Sequence, residues 1–359
     1  MRVLLLGGTG AMGLYLRDYL INRGEDVYIT SRKKRQGNGR THYVQGNAHN
    51  IVFLRHLLAE KWDAIVDFMV YDTTEFSERI GLLLSSTQQY IFISSSRVYS
   101  NYDSPITEST PRLLDVSKDD EFLLTEEYSL KKAREENILM SSENNNYTII
   151  RPYITYSETR LQLGDLEIGG WLVRAMEGRS IVFSKDIAEC KTTISFGKNV
   201  AKGISCVIGD KRTFGEIYNI TDSFCLKWKD VLSIYLDALE KYTGKRPNVK
   251  WIEKSLKLSN PSTMYQVKYD RLFDREFDNS KILEIAPDLQ FVSPYIGLSQ
   301  CIKSFVEMYK KDYYPKFSYI KEAYMDRIAG EHIRIKDIKK FKHKILYILC
   351  RYFGFHLEK

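Results

Sequence analysis

The feature that most constrains the fold of this chain is a glycine pattern close to its first residue. A short apolar run, Val3–Leu6, leads directly into Gly7, Gly10 and Gly13. In a strand–turn–helix unit the first glycine allows the tight turn, the second lets the backbone approach a pyrophosphate, and the third lets helix and strand pack closely. The pattern predicts a bound dinucleotide at the positive end of the first helix. Its expected phosphate contacts are Gly7, Thr9, Gly10, Ala11, Met12 and Gly13.

Short apolar runs alternate with helical patterns through residues 1–155, which is typical of an α/β fold with a doubly wound parallel sheet. The expected strands are Val3–Leu6, Val27–Thr30, Tyr43–Gln45, Ala64–Phe68, Tyr90–Ser94 and Tyr147–Ile150. A long helix is predicted from about Phe122 to Glu143. We predict a Rossmann-type domain over 1–155 and a smaller substrate-binding lobe mostly over 156–325, which also holds returning elements of the first domain. A basic amphipathic C-terminal tail is predicted over 326–359.

The residues after the second predicted strand distinguish between two nicotinamide cofactors. An NAD site places a carboxylate there, on the ribose 2′-hydroxyl, but this chain reads Thr30-Ser31-Arg32-Lys33. Two cations and a hydroxyl suit the 2′-phosphate of NADP, which an arginine can bind through two hydrogen bonds. The segment predicts NADP rather than NAD, with Ser31, Arg32 and Lys33 as ligands. The two cations that follow are expected to lie in a solvated loop.

Tyr128 and Lys132 are four residues apart within a predicted helix, so their side chains lie on one face. An ammonium held beside a phenol stabilises its ionised form, which makes the phenol able to give or take a proton near neutral pH. The chain has 25 tyrosines, so this spacing alone carries little weight. Its weight comes from its position relative to the other motifs.

Four segments resemble the extended short-chain dehydrogenase/reductases, the NAD(P)-dependent epimerase/dehydratase family, and occur in the family's order. They are the N-terminal glycine segment, the Ile-Phe-Ile-Ser-Ser-Ser-Arg-Val-Tyr segment at 91–99, Tyr128 with Lys132, and Arg151-Pro152. The resemblance implies a nicotinamide cofactor and a nucleotide-activated sugar as substrate. It also implies that Tyr128 and Lys132 are catalytic, and that Lys132 binds the cofactor ribose.

The third catalytic residue of this family is a serine or threonine four residues before the tyrosine of the segment that ends here at Tyr99. The resemblance therefore implies Ser95, whose hydroxyl would bind the oxygen of the reacting carbonyl or hydroxyl group. Ser94 and Ser96 are the neighbouring alternatives, and both are expected to cap the strand end. Tyr99 is expected to pack rather than to react.

The chain departs from the family pattern at three places. The sugar 4,6-dehydratases carry a glutamate at the position of Arg97, and an arginine cannot remove a carbon-bound proton at neutral pH, which argues against dehydration. The asparagine and the Gly-Pro turn that often follow Arg-Pro are missing after Arg151-Pro152, so substrate contacts in that loop cannot be transferred. Asn47 replaces the aspartate usual near the adenine, and can still donate and accept hydrogen bonds.

Three functions are compatible with these motifs. The first is reduction of a 4-keto nucleotide sugar, favoured because NADP is kept largely reduced in cells. The second is epimerisation of a nucleotide sugar through a transient ketone, with a tightly retained cofactor. The third is non-catalytic nucleic-acid binding, since some relatives with similar segments bind RNA.

The charge distribution argues against the third function. Of the formal net charge of +7, residues 331–359 contribute +5, with eight basic and three acidic residues. The rest of the chain is close to neutral, whereas nucleic-acid binding needs clustered cations. In the tail, apolar and basic residues alternate at roughly helical spacing. Such a helix can lie on an anionic membrane, or it can pack on its own protein or on a second subunit of a homodimer.

Composition indicates an ordinary globular protein, with 43% hydrophobic and 28% charged residues. No apolar stretch reaches the roughly 18 residues that span a bilayer. The five cysteines contain no Cys-x-x-Cys pair, which favours free thiols in a reducing compartment, and no metal site is predicted. The expected location is the cytoplasm, with membrane association through the tail as a further expectation.

Overall fold

The computed structural model of the protein describes residues 1–103, 105–257 and 261–354. The last five residues of the predicted tail, 355–359, lie outside the described residues. The strands are β1 (Arg2–Leu6), β2 (Asp26–Ser31), β3 (Thr41–Gln45), β4 (Trp62–Asp67), β5 (Thr87–Ile93), β6 (Tyr147–Arg151), β7 (Thr155–Tyr156), β8 (Ile181–Ser184), β9 (Lys191–Thr192), β10 (Ser195–Phe196), β11 (Glu216–Asn219), β12 (Leu226–Lys227) and β13 (Val249–Ile252).

The helices follow most of these strands, as expected for an α/β protein. They are α1 (Gly13–Asn22), α2 (Ile51–Leu57), α3 (Thr73–Ser85), α4 (Leu113–Val116), α5 (Asp120–Leu123), α6 (Tyr128–Met140), α7 (Ile168–Met176), α8 (Lys185–Glu189), α9 (Gly197–Val207), α10 (Trp228–Thr243), α11 (Pro261–Gln266), α12 (Ser280–Ile285), α13 (Pro294–Tyr309), α14 (Tyr319–Ala329) and α15 (Phe341–Phe353). Within the described ranges, no helix is both long and apolar enough to cross a membrane.

The central sheet has seven strands in the order β11-β6-β5-β4-β1-β2-β3, and every neighbouring pair is parallel. The predicted Rossmann-type fold is therefore confirmed. The chain leaves β1 towards β2 and β3, then returns to place β4 on the other side of β1. Ligands of such sheets bind at this reversal, outside the carboxyl ends of the strands.

Strand β1 shows why its residues are almost continuously apolar. Val3 and Leu5 belong to the core on one face of the sheet, and Leu4 and Leu6 belong to the core on the other face. All four side chains are fully buried. Complete burial of such a side chain contributes about 1.5–3 kcal/mol to the stability of the fold. The strand is therefore stable, and it fixes the position at which the glycine turn begins.

The described residues form two compact units. The first consists of the described parts of 1–157, 193–225 and 276–294, and contains the seven-stranded sheet. The second consists of the described parts of 158–192, 226–275 and 295–359. In the second unit β8 pairs with β13 in parallel, Trp171 stacks on Tyr235 with ring centroids 4.4 Å apart, and α14 packs against α15.

The single long helix predicted from about Phe122 to Glu143 is wrong, because the chain breaks between α5 and α6. The Thr125 hydroxyl donates to the carbonyl oxygen of Phe122 at 2.7 Å, which closes the end of α5. The carboxylate of Glu127 accepts from the Ser129 amide at 2.7 Å and caps the start of α6. Side chains here make hydrogen bonds with backbone groups that the ends of the two helices leave free. As a result, Tyr128 is the first residue of its helix.

The tail is also divided. A short 3-10 segment spans Ile335–Asp337, and the regular helix α15 begins only at Phe341.

Candidate functional site

The glycine turn after β1 has the geometry of a phosphate cradle. Gly7 has a φ of +68°, which favours glycine. A Cβ on Gly13 would lie 2.3 Å from the carbonyl oxygen of Gly8, so the start of α1 can approach the turn only because this residue is glycine. A Cβ on Gly10 would meet nothing within 4 Å, and Gly10 is exposed. The space above Gly10 is therefore open to a ligand.

The electrostatics of the same turn suit an anion. Helix α1 has no side-chain hydrogen bond at its N-cap, Met12, and no acidic residue in its first turn. Its positive end is therefore not neutralised by the protein, and Thr9, Ala11 and Met12 lie in the segment leading to it. The residues present fit the pyrophosphate of a dinucleotide.

The residues proposed to select the cofactor lie at the carboxyl ends of β2 and β3. Ser31 ends β2, is buried, and its hydroxyl accepts from the Lys33 amide at 3.3 Å. Arg32 and Lys33 are exposed. Asn47 follows β3, is exposed, and its side-chain oxygen accepts from the His49 amide at 3.3 Å. No carboxylate occurs between residues 31 and 40.

The three serines after β5 have different hydrogen-bonding roles. Ser94 donates to the Glu136 carboxylate at 2.6 Å, and Ser96 donates to the carbonyl oxygen of Arg151 at 2.8 Å. The Ser95 hydroxyl only accepts, from the Arg97 amide at 3.2 Å, and no acceptor for its proton is found among the described residues. Of the three hydroxyls, that of Ser95 remains able to donate to a substrate.

Lys132 lies close to the cradle because Met69 contacts both. The Lys132 ammonium donates to the carbonyl oxygen of Met69 at 3.4 Å, and the Met69 sulfur is 2.8 Å from where a Cβ of Gly7 would lie. The Lys132 side chain is 1% exposed and its nitrogen lies 4.4 Å from the centre of the Phe92 ring. Tyr128, one turn earlier on α6, is partly exposed. The structure thus brings Lys132 to the turn between β1 and α1.

Arg97 is a second cation at this site. Its guanidinium lies over the ring of Tyr128, 5.2 Å from the ring centre, and pairs with Glu127 at 2.5 Å. Glu127 is also the cap of α6, so one carboxylate holds both Arg97 and the helix that begins with Tyr128. In the sequence Arg97 argues only against dehydration, and nothing there indicates its contact with Tyr128.

A buried carboxylate beside Lys132 was also missed. Glu135 lies one turn after Lys132 on α6, is 0% exposed, and its Oε2 is 2.9 Å from the Lys132 nitrogen. Burial raises the pKa of Glu135 to about 7, although Lys132 opposes the shift. The spacing of three residues was visible in the sequence, but the same spacing occurs in many exposed ion pairs.

A second buried carboxylate, Asp67, ends β4 in the same region. It accepts hydrogen bonds from the hydroxyls of Tyr71 at 3.1 Å and Tyr90 at 2.9 Å. Burial raises the pKa of Asp67, and Lys132 is among the groups that oppose this. Lys132 therefore lies near two buried carboxyl groups, whose ionised forms offset the cost of burying its ammonium.

Arg151 has a structural role. Its guanidinium makes two hydrogen bonds to the buried Glu136, at 2.8 and 2.6 Å, and one to the hydroxyl of Tyr99 at 2.8 Å. Tyr99 is fully buried and donates to the Asn219 side chain at 2.7 Å.

Within the described ranges, no cluster of histidine, cysteine, aspartate or glutamate could hold a metal ion.

The parallel sheet and the glycine turn at its reversal define an α/β protein of the Rossmann type. The family model described as "NAD dependent epimerase/dehydratase family" matches residues 3–221, which is more than half of the chain. The protein belongs to this family.

Solved structures of similar fold include nucleotide-sugar enzymes. UDP-glucuronic acid 4-epimerase of Bacillus cereus, in complex with UDP-glucuronic acid and NAD, is 17% identical with a TM-score of 0.65, covering 86% of this chain and 100% of that one. dTDP-glucose 4,6-dehydratase of Bacillus anthracis, in complex with NAD, is also 17% identical with a TM-score of 0.65, covering 86% and 98%. At this identity the likeness establishes the fold.

A curated relative is the chloroplast stem-loop binding protein of 41 kDa b of Arabidopsis thaliana, which is 24% identical over 238 residues. The match covers 61% of this chain and 58% of the relative, so the chain spans less than two thirds of that protein's length.

Proposed function

We propose that the protein is an NADP(H)-dependent reductase of a nucleotide-activated 4-keto sugar. The observation that carries the proposal is the contact between Arg97 and Tyr128. The position at which a dehydratase would need a base holds a cation instead, and the nearby carboxylate of Glu127 is committed to Arg97 and to the start of α6. Next to this cation are a phenol and the Ser95 hydroxyl, which are the groups that reduction of a ketone needs.

In the proposed reaction, the glycine turn of Gly7, Gly10 and Gly13 would hold NADPH, which would be the source of the hydride that the keto carbon accepts. Ser95 donates a hydrogen bond to the keto oxygen, and Tyr128 gives its phenolic proton to that oxygen as negative charge develops there. The ammonium of Lys132 and the guanidinium of Arg97 stabilise the phenolate that remains. The product is the hydroxyl sugar, and Tyr128 regains a proton from solvent.

The proposed preference for NADPH rests on the end of β2. Arg32 and Lys33 are exposed there, and no carboxylate follows Ser31 up to residue 40 that could bind a ribose 2′-hydroxyl. An exposed arginine can bind the 2′-phosphate through two charge-assisted hydrogen bonds. We expect Ser31, Arg32 and Lys33 to form this subsite, and Asn47 to lie near the adenine.

The first test is an assay of NADPH absorbance with a panel of nucleotide 4-keto sugars. We expect loss of NADPH with at least one member, and a loss of activity of about 100-fold or more in Tyr128→Phe, since a positioned proton donor contributes that much. If no sugar in the panel causes NADPH loss, the reductase proposal fails. Conversion of a nucleotide sugar to its epimer without net NADPH loss would instead establish the epimerase alternative.

The second test addresses the cofactor. Arg32→Ala should weaken NADPH binding about 10- to 100-fold in calorimetry and leave NADH binding unchanged, because only the contact with the 2′-phosphate is removed. Lys34→Ala is the matched control, since it removes an exposed cation of the same loop that is not assigned to the subsite. Equal effects of the two substitutions on NADPH would contradict the proposed subsite.

Stem-loop binding, which the name of the Arabidopsis relative gives for that protein, is not proposed for this chain. The charge outside residues 331–359 is close to neutral, and this argues against a nucleic-acid surface there.

A further inference from the structure

Helix α15 presents a row of apolar side chains to solvent. Phe341 is 76% exposed, Ile345 is 44% exposed and Tyr352 is 54% exposed. Their spacing of four and seven residues places them on one side of the helix. Phe353, also largely exposed, adjoins this row at the end of the helix.

The other side of α15 attaches the helix to its own unit. Tyr347 and Cys350 are buried in a cluster that includes Ala323, Ile333 and Ile338. The helix is therefore already packed, and its outward apolar row is additional to the residues that hold it in place. A surface helix that only packed on its own protein would place its apolar row inwards.

Lysines flank the outward row, in a segment rich in positive charge. Residues 334–353 contain seven lysines and arginines and one acid, Asp337, which pairs with Arg334 at 3.0 Å. On a helical projection Lys342 lies on one side of the row and Lys344 on the other. Both belong to a segment with a strong excess of positive charge.

We propose that this outward face of α15, formed by Phe341, Lys342, Lys344, Ile345, Tyr352 and Phe353, binds the surface of an anionic phospholipid membrane. The apolar row would enter the boundary between headgroups and acyl chains, and the flanking lysines would contact lipid phosphates. The 13 residues of α15 extend over about 20 Å, enough to lie along the surface with all of these side chains in contact.

The order of charges favours a membrane over two other partners. A nucleic acid would be bound by cations along the middle of the face, whereas here the middle is apolar and the cations flank it. A second copy of the chain would bring the same excess of positive charge to the interface, which opposes association. A lipid surface accommodates both features, since it is apolar inside and negative outside.

The test is flotation of the full chain with phospholipid vesicles. We expect binding to mixed vesicles of phosphatidylcholine and phosphatidylglycerol, little binding to phosphatidylcholine alone, and weaker binding at high salt. The double variant Phe341→Ser, Ile345→Ser should bind at least about tenfold more weakly, because it removes two exposed apolar side chains. The double variant Lys342→Gln, Lys344→Gln should weaken binding to the mixed anionic vesicles and leave the low binding to phosphatidylcholine vesicles unchanged.

The matched control is Tyr295→Ser with Ile296→Ser, which removes similarly exposed apolar side chains from the start of α13. This variant should bind vesicles like the unmodified chain. Equal flotation of the two double variants, or no flotation of the unmodified chain with anionic vesicles, overturns the proposal. A dimer in light scattering that Phe341→Ser dissociates would assign the face to a second copy instead. Stem-loop RNA could also displace the vesicles from the chain. If RNA binding then required Lys342 and Lys344 but not Phe341 and Ile345, the face would be assigned to nucleic acid.

Discussion

The ammonium of Lys132 is buried together with a carboxylate from the next turn of its own helix. Such a pair acts at a distance as a dipole, so in the proposed reaction Glu135 would reduce the electrostatic stabilisation that Lys132 would give to Tyr128. Burial raises the pKa of Glu135 to about 7, so its carboxyl group gains or loses its negative charge near neutral pH. Other titratable and charged groups near Glu135 come from β4, β5 and α6 itself: Asp67, Tyr90 and Lys131.

The substitution Glu135→Gln removes the negative charge and keeps the shape of the side chain. The unopposed ammonium should then stabilise the phenolate of Tyr128 more strongly. If the proposed function holds, the pH at which reduction slows should move to a lower value than in the unmodified protein. The measurement is a pH–rate profile, with Glu108→Gln as the control, since Glu108 is a partly buried carboxylate whose pKa is also raised by burial. A lower rate with an unmoved profile would mean that Glu135 is only structural.

Stability provides a second measurement of the same charge, which does not depend on activity. A carboxylate whose pKa is raised in the folded protein keeps its proton up to about pH 7, whereas the unfolded chain loses it above its ordinary value of 4.5. The contribution of Glu135 to the stability of the unmodified protein should therefore fall as the pH rises from about 4.5 to about 7. In Glu135→Gln, the free energy of unfolding measured with urea should fall less between about pH 4.5 and pH 7. If it fell as much as in the unmodified protein, the burial of the Glu135 carboxylate would be contradicted.

The amino-acid sequence indicates some residues of the candidate site and not others. Tyr128, Lys132 and Ser95 could be named because the family resemblance supplies their spacing, although their catalytic roles stay predictions. Glu135 and the Arg97 contact could not be named, because they depend on which side of α6 is buried and on where that helix starts. A spacing of three residues does not indicate whether an ion pair is exposed or buried.

At the scale of elements, the unit of β1, the glycine turn and α1 allows a paired test. Gly10→Ala adds a Cβ that meets nothing, so we expect unchanged stability and weaker NADPH binding, by about tenfold or more. Gly13→Ala adds the same atom 2.3 Å from the Gly8 carbonyl oxygen, so we expect a loss of stability of about 1–3 kcal/mol. Thermal unfolding and calorimetry measure the two effects. Similar behaviour of the two variants would contradict the cradle geometry.

Most strands of the first 155 residues could be predicted, because apolar runs of parallel strands are distinctive. The break between α5 and α6 could not, because helical periodicity continues through residues 124–127. Local hydrogen bonds from Thr125 and Glu127 override that periodicity. The difference matters for function, since the break places Tyr128 at the start of its helix, next to the cap that Arg97 shares.

At the scale of the whole molecule, the second unit contains a buried network of ion pairs. Arg174 and Arg179 each pair with both Glu322 and Asp326, at distances from 2.7 to 3.0 Å. Burial raises the pKa of Glu322 to about 7. Burial would also raise the pKa of Asp326, but Arg179, Tyr347 and Arg174 outweigh it, and the pKa is lowered. Asp326 is thus the charged centre of the network.

Tyr347 connects α15 to this network and explains how the helix can be fixed while its apolar row points outwards. Its hydroxyl donates to Asp326 at 2.6 Å and accepts from the Ile333 amide at 2.9 Å. Tyr347→Phe leaves both partners buried without that bond and should destabilise the protein by about 1–3 kcal/mol. Tyr352→Phe, on the exposed side, should change stability by less than about 0.5 kcal/mol. Urea unfolding measures both, and an equal effect of the two would mean that α15 is not anchored through Tyr347.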